Sequence, residues 1–306
     1  MLLSWVRFVK PMTDRIIEIA DVPARLRVDL GRLAIEVKDR ETVFIPLQEI
    51  AAIVVSNQSV SLSQSVLSGL AAAGGVFVAM SEDFLPVAML LPLDTHSTQT
   101  ARMTKQAEAT EPTKKRAWQA IVRAKVRAQW LMLEEHGRPQ NGLDELLSSV
   151  RSGDPENIEA QAAVRYWRVL FGDAFRRDRD AFDQNRLLNY GYAVLRAATA
   201  RAICGAGLHP SLGVKHHNRY NPFCLADDLM EPYRPIVDRA VVRITERDGP
   251  QVELSREIRA ELIGALLGKH RVRESERTLF DILSRSAASL ARVLTGEDRE
   301  IELWVP

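Results

Sequence analysis

Apolar residues recur at one spacing in the first third of this chain and at another in the remainder, and a fold must satisfy both periods at once. Up to about residue 91 they come in short runs with partial two-residue alternation: Trp5–Val9, Arg15–Ile19, Arg25–Val28, Leu33–Val37 and Thr42–Ile45. Asp39-Arg40 supplies a hairpin turn between the last two. Ile50–Val55 is apolar at every position, which predicts a strand covered on both faces. Leu62, Val66, Leu67 and Leu70 fall at helical spacing, Gly74-Gly75 stops that helix, and Val76–Met80 returns to strand. Pro92 to Pro112, with its Asp, Ser and Thr residues and weak periodicity, reads as a linker.

Beyond residue 112 the period is that of a helix. Trp118, Ile121, Val122, Val126 and Trp130 form one stripe between Lys114 and Glu135, with Arg116, Arg123 and Arg127 close together on another face. Asp154-Pro155 predicts an N-cap and first helical residue for a helix ended by Gly172. Further helices are expected over Leu187–Ala206, around Glu231, over Glu253–Gly268 and over Arg277–Leu294. The expected fold class is therefore α+β in two domains. A small β-rich N-terminal domain (1–91) and a linker (92–112) lead to a larger all-α C-terminal domain (113–306).

A chain of 306 residues is long enough for that division. Its 41 basic and 40 acidic side chains leave a net charge of +1, so any nucleic-acid surface must be local. Two cysteines make no disulfide framework and read as reduced intracellular thiols. Neither a signal-like start nor an apolar run of membrane-spanning length is present, so a soluble cytoplasmic protein with no membrane partner is expected.

The residues able to do chemistry concentrate between Gly207 and Pro235. Asp228 and Glu231 stand at i and i+3, on one helix face and about 4.5 Å apart in rise. Two carboxylates so placed repel unless a cation or a proton intervenes. Pro232 and Pro235 remove the amides that would bond the carbonyls of Asp228 and Glu231, so the backbone there is expected to be irregular. The bland alternative is an acidic helix N-terminus favoured by the macrodipole. His209, His216 and His217 add imidazoles, but with Cys204 and Cys224 they lack the tight pair spacing of a zinc site. Glu159 lies in a helix whose other inward residues, Ala162, Ala163 and Tyr166, are small or aromatic. A carboxylate buried there needs a partner or a metal; the alternative is a solvated side chain.

Taken together, Ile158–Ala163, Leu187–Ala193, Gly207–Pro210 and Leu225–Pro235 resemble the signature blocks of the universal CRISPR-associated adaptation integrase, the Cas protein numbered one. The likeness is greatest to members from type II systems. The resemblance covers essentially the whole chain and implies a metal-dependent DNA endonuclease and integrase using Mg²⁺ or Mn²⁺. Its catalytic and metal-holding residues would be Glu159, His216 and Glu231, with Asp228, Asn189 and His217 in support. His216 rather than His217 or His209 matches the family's spacing to the Asp-Leu-Met-Glu block. Implied partners are a second copy of the chain through the β-rich domain and the small ferredoxin-like Cas protein numbered two. Double-stranded DNA with 3′ ends and the CRISPR repeat are the implied substrates, and the type II effector nuclease is a further candidate partner. Arg116, Arg123, Arg127, Arg176, Arg177, Lys269, Arg271 and Arg273 form local basic clusters that could hold phosphates; solvated faces paired with nearby acids explain any one cluster equally well. A non-catalytic DNA scaffold and a stand-alone nuclease for branched DNA are the alternative functions.

Overall fold

The structure is a computed structural model and describes residues 14–92, 96–178 and 180–305; the strand expected at Trp5–Val9 lies outside them. The N-terminal part contains β1 (Arg15–Ile19), β2 (Arg25–Asp29), β3 (Arg32–Glu36), β4 (Val43–Pro46), β5 (Ile50–Val55) and β6 (Ser61–Leu62). After α1 (Gln64–Ala72) come β7 (Val76–Met80) and β8 (Pro86–Leu90). They form two four-stranded sheets, ordered β1-β5-β7-β8 and β4-β3-β2-β6. In the first, β1, β5 and β7 run parallel and β8 returns antiparallel along the edge.

The apolar run of β5 has a direct cause. Ile17, Ile19, Ile53 and Val55 face a core shared with the second sheet and α1. Ile16, Ala52, Val54, Val76 and Val78 point the other way, into the same hydrophobic cluster as the helices. The inner strands of the first sheet thus have no wet face, whereas the edge strand β8 exposes Val87 and Ala88, and the β-rich and helical parts are joined through continuous apolar contact.

The rest of the chain comprises α2 (Gln99–Ala107), α3 (Glu111–Glu135), α4 (Leu143–Ser149), α5 (Ile158–Phe171), α6 (Asn185–Gly205), α7 (Cys224–Met230) and α8 (Arg234–Asp248). It ends with α9 (Arg256–Leu267), a hairpin of β9 (Lys269–Val272) and β10 (Ser275–Thr278), and α10 (Leu279–Leu294). Helix α6 is the spine, touching α7, α8, α9, α10 and the first sheet. It packs so tightly on α8 that a Cβ on Gly191 would lie 2.4 Å from Val237 Cγ1.

Three expectations need correction. The stretch read as a linker holds α2, whose Gln106 is buried and donates from Nε2 to the carbonyls of His209 and Leu212. The C-terminal part is not wholly helical: the Lys269–Arg273 run forms a hairpin whose turn begins at Arg273, with φ 56°. Helix α5 starts at Ile158, not at Pro155. Asp154 does cap it, but from farther back, accepting from the amides of Ile158 (2.8 Å) and Glu159 (3.0 Å) across a turn. Around Glu231 the backbone is irregular, as Pro232 and Pro235 imply: α7 gives way to a 3₁₀ turn at Glu231–Tyr233 before α8 begins.

A buried ionic knot also ties the two parts together. Arg259 of α9 is 3% exposed and donates to Glu18 Oε1 of β1 (2.7 Å) and to Asp21 Oδ1 (2.7 Å). Tyr190 of α6 donates to the same Glu18 oxygen at 2.6 Å. Removing one member leaves an uncompensated charge out of water. Arg259→Met should therefore cost about 3 kcal/mol in urea unfolding. Lys269→Met, which breaks an exposed 3.5 Å pair with Glu276, should cost under about 1 kcal/mol.

Candidate functional site

Four elements converge on one place: the inward face of α3, the first turn of α5, the loop before α7, and the 3₁₀ turn after it. The acidic block on α7 divides its carboxylates among three tasks. Asp227 pairs with Arg196 of α6, at 2.7 Å to Nε, and accepts from Asn221 Nδ2 at 2.6 Å. Asp228 is fully buried and gathers the preceding loop, accepting from the amides of Val214 (2.8 Å) and Lys215 (2.9 Å) and from His216 Nδ1 (2.5 Å). Glu231, one turn on, faces α3 and α5.

The loop fits only because residue 213 is glycine. A Cβ there would lie 2.3 Å from the His216 carbonyl oxygen and 2.9 Å from Asp228 Oδ2. Backbone atoms block one side of that Cβ, so the loop could not close around Asp228 with any other residue. His216 is thereby held with Nδ1 on a carboxylate and its ring edge-on to Trp118, at a centroid distance of 5.7 Å. The hydrogen bond from Asp228, then the fields of Asp228, Glu231 and Glu159, lift the imidazole above the ordinary histidine range against the effect of burial. His217 points elsewhere, into an open groove shared with Gln106, Lys114 and Tyr220.

Glu159 and Glu231 meet through a residue that periodicity assigned to no role. Lys125 of α3 is 6% exposed, and its ammonium contacts both Glu159 Oε1 and, at 2.6 Å, Glu231 Oε2. Arg234 Nη2 takes the other Glu231 oxygen at 2.8 Å. Burial disfavours each charge, but the opposite charges win: Lys125 is held above the usual lysine range, and Glu231 below the usual carboxylate range. The only signal for Lys125 in the sequence is a charged residue inside an apolar stripe, Val122-x-x-Lys125-Val126.

In kind, the donor set fits a divalent cation. Two carboxylates already share one positive charge, and a carboxylate holds Nδ1 of the imidazole, which leaves Nε2 free to act as a ligand. As they stand, no three His, Cys, Asp or Glu side chains among the described residues are gathered closely enough to hold an ion. The ammonium of Lys125 occupies the space between the two glutamates.

Beside this site lies a cleft of about 460 Å³ that Arg168, Arg176, Arg177, Trp167, Lys125 and Glu159 help to line. Arg176 and Arg177 therefore belong to its wall, together with Arg168, which no basic run in the sequence marks. Asn189 sits behind that wall, accepting from Arg177 Nη2 at 2.6 Å. Arg116, Arg123 and Arg127 are exposed along α3, Arg123 donating to the Val150 carbonyl at 3.1 Å. On the hairpin, Arg273 pairs with Glu302 at 2.7 Å and lies 4.8 Å over Trp304, while Arg271 is exposed.

At the back of the cleft Asp238 accepts from Tyr192 and, at 2.9 Å, from Tyr166. Burial pushes its carboxyl up to about 7, despite these donors and Arg234.

Residues 18–255 match the family described as CRISPR associated protein Cas1. A CRISPR-associated endonuclease Cas1 of Neisseria meningitidis serogroup C is 41% identical over 229 residues, covering 74% of this chain and 75% of that protein. One from Pyrobaculum aerophilum is 27% identical over 293 residues, covering 91% and 98%. Among solved structures, a Cas1 protein from Thermotoga maritima superposes with a TM-score of 0.75 at 17% identity over 93% of this chain and 99% of that one. A casposase bound to integration product gives 0.76 at 19% identity over 94% and 92%.

Two titrations check the electrostatics. In metal-free protein His216 should titrate above the ordinary value of about 6.5, and Asp228→Asn should lower it, as read by NMR. A raised folded-state value means that this pair stabilises the fold at low pH and loses its contribution as pH rises through that value. Asp238 also holds its proton longer in the folded than in the unfolded chain, so stability should fall as pH climbs from about 4 toward 7. Asp238→Asn should flatten that slope in thermal melts across the same range.

Proposed function

The chain belongs to the Cas1 family, and on that premise we propose that it is a metal-dependent DNA endonuclease and integrase of CRISPR adaptation. Its reaction inserts short DNA fragments into a repeat array by attack of a DNA 3′-hydroxyl on a repeat phosphodiester. Relatives named CRISPR-associated endonuclease Cas1 support the nuclease class, and the casposase neighbour, caught with an integration product, supports strand transfer on this fold. The observation that carries the reading is the meeting of Glu159 and Glu231 on Lys125 beside an arginine-walled cleft, with the carboxylate-backed His216 near enough for the fields of both glutamates to raise its imidazole.

Glu159, Glu231 and His216 Nε2 would hold Mg²⁺ or Mn²⁺. Such an ion would polarise the scissile phosphoryl oxygen and steady charge on the attacking or leaving oxygen. Asp228 engages Nδ1 of the imidazole, so that Nε2 would be the nitrogen offered to the ion, and Arg234 holds one oxygen of Glu231. Arg168, Arg176 and Arg177 would bind backbone phosphates, giving affinity that falls with salt. A structural neighbour titled as a Cas6-RT-Cas1–Cas2 complex, with a TM-score of 0.76 at 17% identity over 98% of this chain and 37% of that one, supports the small Cas protein numbered two as partner. A homodimer through the β-rich part completes the proposed assembly. Among the described residues no helix is long and apolar enough to cross a membrane.

Strand-transfer assays on a repeat-containing duplex test this. Glu159→Gln, His216→Ala and Glu231→Gln should each lose at least about 100-fold, since even residues behind metal ligands are worth 10- to 100-fold. His217→Ala should stay within a few-fold of the parent. Full activity in all three site variants would end the proposal.

A further inference from the structure

We propose that Lys125 is the resident counter-cation of the metal-free site: it holds the position that a divalent ion takes between Glu159 and Glu231, and it leaves for the neighbouring cleft when the ion enters. This inference rests on the metal-dependent reading above and adds a residue that the reading does not use.

Four observations carry it. First, Lys125 emerges from the apolar face of α3, among Ile121, Val122 and Val126, where an unpaired ammonium would be costly. Its presence there is explained by the two carboxylates it contacts. Second, those carboxylates come from different elements and would repel one another without a cation between them. The ammonium therefore does in the metal-free fold what the ion would do in the loaded one. Third, Glu231 Oε2 has the Lys125 ammonium 2.6 Å away, while its twin oxygen is committed to Arg234. Oε2 is therefore the oxygen that an ion displacing Lys125 would take. Fourth, Lys125 already borders the cleft that Arg168, Arg176 and Arg177 help to wall. Its flexible four-carbon stem allows the ammonium to turn into that space without moving α3.

The physical consequence is competition followed by cooperation. An ion and an ammonium cannot share the same two oxygens at close range, so Lys125 weakens ion binding in the DNA-free protein. A nucleic-acid phosphate in the cleft gives the displaced ammonium a new partner. Phosphate and ion therefore favour each other's binding, and by linkage the effect is reciprocal. The enzyme would hold its ion tightly only with DNA present.

The test measures Mn²⁺ binding directly, by electron paramagnetic resonance of the free ion, with no turnover. In the DNA-free protein Lys125→Met and Lys125→Gln should bind Mn²⁺ tighter than the parent, by on the order of tenfold, within the usual range of coupling between two ligands. Adding a short DNA duplex should tighten Mn²⁺ binding to the parent but no longer to the variants. Equal or weaker binding by both variants would overturn the inference. Glu159→Gln and Glu231→Gln separate the two levels. If they lose Mn²⁺ while the lysine variants gain nothing, only the role of Lys125 fails. If they bind as the parent does, the metal site itself fails, and this inference with it. A measurement on unaltered protein guards against misfolded variants: Mg²⁺ with DNA phosphate absent should speed amine-reactive labelling of Lys125 several-fold, read by peptide mass spectrometry. Labelling that Mg²⁺ leaves unchanged would overturn the proposal as surely.

Discussion

Helix α6 has almost no face left for water, and the arrangement of everything around it follows from that. Leu187, Leu188, Leu195, Ala198, Ala200 and Ile203 are buried on different sides of it. A helix of this kind must be enclosed by neighbours all round. Here they are α7, α8, α9, α10 and the back of the first sheet. Small residues allow the enclosure to be tight, and at Gly191 the approach of α8 leaves no room for a side chain. Its two inward-reaching arginines are satisfied at the edges, Arg196 by Asp227 and Arg201 by the Gly74 carbonyl. Because α7 and α8 are both pressed against α6, the short 3₁₀ turn between them is fixed, and Glu231 with it.

The site is a consequence of how charges are accommodated at the edge of that core. Three acidic residues within five positions of chain cannot all face one cavity without mutual repulsion. The fold separates them: Asp227 faces α6, Asp228 the loop amides, and Glu231 the ammonium of Lys125. Asp228 contributes chiefly through others, since it closes the loop that carries His216 and leaves one imidazole nitrogen free. What looks in one dimension like a single acidic motif is three unrelated electrostatic solutions.

Much of this was legible in advance, for physical reasons that differ from residue to residue. The β5 run was readable because a strand covered on both faces has no polar alternation to hide it. The irregularity after Met230 was readable because Pro232 and Pro235 remove specific hydrogen bonds. Helix α2 escaped because its stabilisation comes from Gln106 reaching the His209 and Leu212 carbonyls, a contact across distant chain that no local period records. Asp154 is readable as a cap, yet a carboxylate can serve amides across a turn as well as at the next residue, so α5 starts later than the cap position implies. The hairpin at Lys269–Thr278 escaped because its exposed positions are charged, which suits a solvated strand and a helix end alike.

The order of elements, the change from strand to helix and the residue types able to bind a cation follow from local periodicity and local chemistry, and these were fixed along the chain. Which histidine faces the glutamates was not, because His216 and His217 are neighbours and differ only in what their loop is folded against. Nor was the partner of Glu159 and Glu231. Lys125 lies on a third element, and its charge becomes part of the site only when α3, α5 and the turn after α7 pack together. Proximity between such elements is a product of the shared core, and a core made by α6 with all its neighbours is not encoded in any one segment.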